Sequence, residues 1–211
     1  MNELDLLKKD WQSKEHSLPK LSYDEIYQMI WKRSSSIVKW IFYISLSEIL
    51  IGLLFTLFAA DKEYWEELDR IGQTEITIVT YILSYVIVAY YIYLFYKNYK
   101  EISVTESTRN LMKSILKTRK TVKTYIAILL GLSGIYSTLL CIGYLQTDFT
   151  QQILAENNGV LPDYFWPLMI FLCLVMVFIA LIFIWLFYRL LYGILLKKLL
   201  RNYEELKKME V

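Results

Sequence analysis

The most prominent feature of this chain is a set of four long apolar runs separated by polar segments. A helix rises about 1.5 Å per residue, so roughly 20 residues cross a hydrocarbon core of about 30 Å. Four runs reach this length: 37–60, 76–96, 125–145 and 168–188. A buried helix of a soluble protein rarely stays apolar on every face over such a length. The pattern therefore predicts the all-α class, as an integral membrane bundle of four transmembrane helices.

Positive charges are concentrated in alternate segments between these runs. Of the 23 Lys and Arg residues, 21 fall within 1–39, 97–124 and 189–211. The segments 61–75 and 146–167 together hold 2 basic and 9 acidic residues. Because Lys and Arg are retained on the cytoplasmic side, both termini are expected inside. The basic inner face is attributed to topology and to contact with anionic lipid headgroups, rather than to nucleic-acid binding.

These two patterns together divide the chain into nine segments. They are 1–36 (cytoplasmic N-terminal helices), 37–60 (first span), 61–75 (external loop), 76–96 (second span), 97–124 (basic cytoplasmic helix and loop), 125–145 (third span), 146–167 (external loop), 168–188 (fourth span) and 189–211 (cytoplasmic C-terminal helix). Acidic rather than basic residues follow Met1, so no cleavable signal peptide is expected.

The composition argues against most classes of enzyme. Hydrophobic residues make up 56% of the chain, whereas there are only two Cys and one His with which to build a metal site or a disulfide framework. Cys141 and Cys173 fall within the third and fourth spans and are interpreted as small apolar side chains. We therefore expect no enzyme, no catalytic residue, no metal and no cofactor.

The first 36 residues predict two cytoplasmic helices. In the first, Leu4, Leu7 and Trp11 recur at helical spacing. This stripe either packs on the membrane or on the other helices, or it binds a soluble partner; the equal numbers of acids and bases in 1–36 favour a protein partner slightly. Ser22 and Glu25 have the spacing of a capping box, which would start a second helix that continues unbroken into the first span.

Two more amphipathic helices are predicted on the inner side. Residues 107–124 combine apolar and basic side chains, as an interfacial helix does. After the last span, apolar residues recur every three or four positions in a heptad pattern barely two repeats long: Tyr192, Leu196, Leu199, Tyr203 and Leu206. Such a short pattern is not stable alone. We expect it to pack within the chain, with packing on a second copy as the alternative.

One ionisable side chain, Glu48, lies deep within a predicted span. A carboxyl group there costs a few kcal/mol unless it is neutral, paired or hydrated. Equal counts from the inner ends of the spans put Tyr85 and Tyr136 at the level of Glu48. We therefore expect an intramembrane polar layer of these three residues. A structural role is favoured, with proton or ligand handling as the alternative.

The N-terminal sequence also resembles a known family. Met1–Trp11 (MNELDLLKKDW), 18–26 (LPKLSYDEI) and 32–39 (KRSSSIVK) resemble a family of uncharacterised four-span inner-membrane proteins of Bacteroidota. Members often carry the label beta-carotene monooxygenase. That chemistry uses several His ligands, and His16 is alone here, so we reject it. Members encoded beside sigma factors imply that the protein is a membrane-bound anti-sigma factor. This sequence lacks the zinc-type anti-sigma motif of one His and two Cys, because neither Cys is cytoplasmic.

Three functions follow from these observations. The first is a bacterial inner-membrane regulator or adaptor that binds a soluble cytoplasmic protein, such as a sigma factor, through Leu4, Leu7 and Trp11. The alternative is a structural subunit of a larger envelope complex. The third is an intramembrane enzyme or carrier centred on Glu48. The expected partners are membrane lipids and a soluble protein, with no direct contact to nucleic acid, and either a homo-oligomer or a hetero-oligomer is compatible with the sequence.

Topology reporters test the predicted orientation. Fusions after Met1, within 100–120 and after Val211 are expected to report the cytoplasm, because basic residues are concentrated in these segments. Fusions at 65–70 and 155–160 are expected to report the opposite side. An external signal from 100–120 would contradict the topology.

Overall fold

The computed structural model describes residues 22–59, 61–105, 107–156 and 160–209, and their regular secondary structure is entirely helical. In chain order the helices are α1 (Tyr23–Ala59), α2 (Lys62–Arg70), α3 (Thr74–Ser103), α4 (Thr108–Tyr144), α5 (Thr150–Glu156) and α6 (Phe165–Met209), with a π-helical segment, Leu145–Phe149, between α4 and α5. This confirms the predicted all-α class.

Four of these helices, α1, α3, α4 and α6, are long and apolar enough to cross a membrane. They contain 37, 30, 37 and 45 residues. At about 1.5 Å per residue, each is longer than a hydrocarbon core of about 30 Å. The prediction of four helices long and apolar enough to span a membrane is therefore confirmed, and each of these helices extends beyond its apolar run at one end or at both.

The four long helices alternate in direction. The Tyr23 hydroxyl, at the start of α1, is 3.0 Å from the Thr108 hydroxyl at the start of α4. The Arg33 Nη1 atom of α1 is 3.5 Å from Glu205 Oε2, near the end of α6. The start of α1, the connection from α3 to α4, and the end of α6 therefore lie at one end of the bundle. We call this end the base and the opposite end the loop end.

The base contains the hydrophobic core. Buried apolar side chains recur there every three or four residues on all four long helices, as in a coiled coil. They include Ile30, Ile37 and Ile41 of α1, Tyr91, Phe95 and Ile102 of α3, Leu111, Ile115 and Val122 of α4, and Tyr192, Leu196, Leu199 and Leu206 of α6. The heptad pattern after the fourth span thus packs within the chain, as expected. Towards the loop end, large apolar side chains point outward instead, as lipid contact requires.

The segment 107–124 is not a separate interfacial helix. It forms the first turns of α4, beginning at Ser107, whose hydroxyl accepts a hydrogen bond from the backbone N–H of Asn110 at 3.3 Å. Leu111 and Ile115 are fully buried in the core of the base. The apolar stripe of this segment is continuous with that of the third span, so it packs against the other helices rather than on a membrane surface.

The predicted capping box at the start of α1 is confirmed. The backbone N–H of Ser22 donates to Glu25 Oε2 at 2.7 Å, and the backbone N–H of Glu25 donates to Ser22 Oγ at 3.3 Å. The backbone hydrogen bond from Ser22 lowers the pKa of Glu25. From this start α1 continues without a break to Ala59. The stripe of Leu4, Leu7 and Trp11 lies outside the described residues.

The loop end differs from the sequence prediction in its cysteines. Cys141 of α4 and Cys173 of α6 form a disulfide, with their Cα atoms 6.2 Å apart. The interpretation of both as separate small apolar side chains is therefore wrong. It treated each cysteine within its own span, whereas the register of α4 against α6 brings the two side chains together.

Two buried asparagines lie in the core of the base. Asn202 Nδ2 of α6 donates to Ser34 Oγ of α1 at 2.9 Å, and Asn98 Nδ2 of α3 donates to Thr121 Oγ1 of α4 at 3.3 Å. Asn202 and Asn98 are 1% and 2% exposed. A buried amide among apolar core positions fixes the register of the two helices that it joins, at some cost in the stability of the bundle. These two pairs therefore set the register of α1 against α6 and of α3 against α4.

Substitution of Asn202 tests this interpretation. Asn202→Asp is expected to lower the free energy of unfolding by several kcal/mol, because it buries a carboxylate without a counter-charge. Asn202→Leu is expected to be neutral or stabilising, because Ser34 can turn its hydroxyl to its own helix backbone. Thermal unfolding in detergent, followed by circular dichroism, measures both. An equal loss in the two variants would show that the amide contributes more than register.

Candidate functional site

The polar site in the membrane part of the bundle is centred on Glu48 of α1. Tyr188 of α6 donates its hydroxyl hydrogen to Glu48 Oε1, and Tyr192, one turn further along, donates to Glu48 Oε2 at 3.2 Å. Helical side chains lean towards the N-terminus of their own helix. Because α1 and α6 run in opposite directions, Glu48 leans towards the base and the two tyrosines lean away from it. The three side chains therefore meet between the helices.

Tyr125 of α4 brings a third phenol to this cluster. Its ring is fully buried and packs edge-on against Tyr188 and Tyr192, with centroids 6.2 and 6.3 Å away. The Tyr125 hydroxyl is buried without a hydrogen-bond partner among the described residues. We call Glu48, Tyr125, Tyr188 and Tyr192 the carboxylate cluster. Since a carboxylate can accept several hydrogen bonds, Glu48 accepts from both phenols of α6, and the Tyr125 ring packs against those two phenols.

The two tyrosines expected to contact Glu48 have other partners. The Tyr85 hydroxyl is 2.8 Å from Thr56 Oγ1, and the Tyr136 hydroxyl is 3.2 Å from Thr77 Oγ1. The predicted layer of Glu48, Tyr85 and Tyr136 is therefore wrong as a hydrogen-bonded group. Tyr85 nevertheless lines the same cavity as Glu48, so the structure brings these two residues near each other.

The error comes from measuring depth along the membrane rather than register between helices. Equal counts from the span ends assume that all four spans begin at one level and that side chains extend horizontally. In the structure, Thr56 of α1, two turns beyond Glu48, is the residue at the level of Tyr85. Glu48 lies on the same face of α1 as the buried apolar residues of the base. Tyr192 and Tyr188 likewise lie on the face of α6 that carries its buried apolar residues. Extending these stripes would have identified the partners.

A second group of hydroxyls lies nearer the loop end. The Tyr64 hydroxyl of α2 is 2.8 Å from the Tyr81 hydroxyl of α3, and the Tyr81 ring lies 6.3 Å from that of Tyr136. Burial, together with the neighbouring Tyr81, raises the pKa of Tyr64 well above its usual value, so this hydroxyl stays protonated. The contact connects the short helix α2 at the loop end to the apolar helix α3.

A cavity of about 320 Å³ lies between the carboxylate cluster and these hydroxyls. Its lining comes mainly from α1 and α3, with Leu129 of α4 and Tyr188 of α6 on the inner side. Phe55, which also lines it, is 72% exposed, so the cavity reaches the outer surface of the bundle. Among the described residues, no group of three or more His, Cys, Asp and Glu side chains could hold a metal ion. The chemistry available here is hydrogen bonding around one carboxyl group.

Comparison with known proteins places the bundle in a family. Residues 24–211 match a family model described as a domain of unknown function, DUF8845. The chain belongs to the DUF8845 family. The DUF8845 region begins within the first turn of α1 and contains all four long helices, whereas Leu4, Leu7 and Trp11 precede it. No curated protein and no solved structure matches the chain.

Substitutions at Glu48 test the hydrogen bonds of the carboxylate cluster. Glu48→Gln is expected to be tolerated, because its amide can still pair with Tyr188 and Tyr192. Glu48→Leu leaves both hydroxyls buried without an acceptor and is expected to cost about 1–3 kcal/mol for each. Thermal unfolding in detergent provides the measurement.

A double variant supplies the control. In the Glu48→Leu background, Tyr188→Phe removes one of the unpaired hydroxyls and is expected to recover part of the lost stability. Tyr85→Phe in the same background is expected to recover none, since its hydroxyl pairs with Thr56. If Glu48→Leu is as stable as wild type, the cluster does not stabilise the bundle.

Proposed function

We propose that this protein is a regulatory or adaptor protein of the bacterial inner membrane that binds a soluble cytoplasmic protein. The observation that supports this most directly is the continuity of α1, which runs as one helix from Tyr23 to Ala59. The segment before Tyr23 is therefore attached directly to a helix that enters the membrane part of the bundle. A partner bound there would act on the bundle through one rigid element.

The start of α1 is attached firmly to the rest of the base. Tyr27 donates its hydroxyl hydrogen to the backbone carbonyl of Thr105 at 3.1 Å, and Trp31 Nε1 donates to the carbonyl of Ile102 at 2.8 Å. On its other side, α1 contacts α6 through Ser34 and Asn202. A displacement of the start of α1 would therefore strain both the α3–α4 connection and the end of α6.

Charge supports the orientation in this proposal. The base carries most of the basic residues of the described helices, including Lys97, Lys100, Lys113, Lys117 and Lys198. By the preference of Lys and Arg for the cytoplasmic side, the base lies inside and the loop end outside. Both termini are then cytoplasmic, which places the N-terminal segment where a soluble protein can bind it.

The partner in this proposal is a protein rather than a nucleic acid. The N-terminal sequence resembles proteins encoded beside sigma factors, so a sigma factor is the partner we propose to test first. With no cytoplasmic Cys, contact would have to come from helices alone. Leu4, Leu7 and Trp11 form the only apolar stripe in 1–20 with helical spacing, and we assign the contact to them.

Co-purification from the native membrane tests the proposal. The full chain is expected to retain a soluble cytoplasmic protein that the variant Leu7→Ala/Trp11→Ala loses, because each substitution removes a large apolar contact. The matched control is Lys9→Ala/Ser13→Ala, since a helix would place these residues on the opposite side of the stripe. Identical sets of proteins from all three forms would contradict the proposal and favour a structural subunit.

Transcription provides a second readout for the sigma-factor partner. Deletion of residues 1–20 is expected to raise expression of the sigma factor's target genes, and overproduction of the full chain is expected to lower it. The deletion leaves the described bundle intact, so its membrane level, measured by immunoblot, should match wild type. Unchanged target expression with a retained soluble protein would exclude a sigma factor but keep the adaptor.

A further inference from the structure

The cavity beside Glu48 presents an unusual set of polar atoms. Thr56 donates its hydroxyl hydrogen to the backbone carbonyl of Gly52 at 2.9 Å, and Thr56 Oγ1 is also 2.8 Å from the Tyr85 hydroxyl. A threonine hydroxyl has a single hydrogen. Both hydrogen bonds can form at the same time only when Tyr85 is the donor to Thr56, and the acceptor lone pairs of Tyr85 Oη are then what it offers to a ligand.

The same reasoning applies on the inner side of the cavity. The hydrogen of the Tyr188 hydroxyl is donated to Glu48, so Tyr188 Oη also remains an acceptor. When Glu48 is ionised, as a bound cation would favour, its carboxylate accepts hydrogen bonds and donates none. The other two hydroxyls of the α3 wall, those of Tyr81 and Ser84, can either donate or accept. Three of the polar groups of the cavity thus require a donor from any ligand.

The charge of the cavity lining further restricts the class of ligand that can bind. Glu48 is the only charged side chain that lines the cavity among the described residues. An anionic headgroup would lie beside this carboxylate without a counter-charge, whereas a protonated primary amine would neutralise it and would supply three N–H donors. A quaternary ammonium would supply the charge without any donor.

The shape of the cavity fits a ligand that comes from the membrane. Its volume, about 320 Å³, is at the small end of ligand sites, enough for a headgroup and the first carbons of a chain. Its apolar walls include Ile49 and Val88, and the exposed Phe55 lies at its edge. A chain leaving the cavity past Phe55 would run along the apolar outer surface of the bundle.

We propose that this cavity binds the primary ammonium group of a lipophilic molecule, with its hydrocarbon chain along the surface between α1 and α3. Glu48 neutralises the ammonium charge, and Glu48, Tyr85 and Tyr188 accept its hydrogen bonds. The inference does not depend on the proposed partner of the N-terminal segment, since it concerns only the described bundle.

The test uses the purified full chain in phosphatidylcholine nanodiscs, whose quaternary headgroup carries no N–H donor. A long-chain primary amine with a photoreactive diazirine in its chain is the probe, and mass spectrometry locates the labelled residues. Labelling is expected on α1 and α3 around the cavity. Dodecylamine should compete about tenfold more strongly than dodecyltrimethylammonium, because only the primary amine donates charge-assisted hydrogen bonds.

Two variants separate cavity binding from general lipid contact. A Cβ built on Gly52 meets no atom within 4 Å, so Gly52→Leu adds a side chain to the cavity wall without a backbone clash and is expected to reduce labelling about tenfold. A Cβ on Gly131 of α4 also meets open space, but Gly131 does not line the cavity. Gly131→Leu is therefore the matched control and should leave labelling unchanged.

Glu48→Gln and added phosphatidylethanolamine complete the design. Glu48→Gln removes the charge and is expected to lower labelling at least about fivefold.

Competition by phosphatidylethanolamine would identify a lipid headgroup as the source of the amine, and its failure to compete would identify a free amine.

Three outcomes would overturn the inference: uniform labelling over all four helices, equal competition by the two ammonium compounds, or equal competition by dodecanoate. All three comparisons use the wild-type chain, so they stand even where a variant fails to fold. Because no partner protein is present, a negative result here leaves the co-purification test of the adaptor untouched, and the reverse also holds.

Discussion

A carboxyl group between apolar helices needs hydrogen-bond donors, and in this bundle α6 supplies them. Glu48 accepts from Tyr188 and Tyr192, and the buried pair of Ser34 and Asn202 joins the same two helices lower in the base. Glu48 follows Ser34 by two heptads, and Tyr188 precedes Asn202 by two heptads. One register of α1 against α6 therefore satisfies both contacts. Any other register would leave these polar groups without partners, at a cost of about 1–3 kcal/mol for each buried group.

The large elements of this fold could be predicted from the sequence because their signals are local. Runs of apolar residues located the four spans, and the spacing of Ser22 and Glu25 predicted the start of α1. The partners of Glu48 could not be found in the same way, because they depend on how far one helix is shifted along another. Counts from span ends chose Tyr85 and Tyr136, whereas the coiled-coil stripes of α1 and α6 lead to Tyr188 and Tyr192. The disulfide between Cys141 and Cys173 was missed for the same reason.

The bundle is stabilised differently at its two ends. In the base, apolar side chains such as Ile115 and Leu199 are fully buried, as in a water-soluble coiled coil. Towards the loop end the helices present apolar side chains outward, where lipid rather than water is the solvent, and hydrogen bonds between hydroxyls join neighbouring helices. The DUF8845 match, residues 24–211, spans both ends of the bundle. The carboxylate cluster lies where one kind of packing gives way to the other.

The two-heptad spacing of the polar contacts restricts how α1 can move. If α1 slid along α6, Glu48 and Ser34 would lose their partners together, and the stripe of core positions would return to an equivalent alignment only after a full heptad, about 10 Å. A gradual piston motion of α1 is therefore unfavourable in this bundle. A change that begins at the N-terminus would instead travel as a tilt or a splaying of α1, with the polar contacts to α6 serving as hinge points.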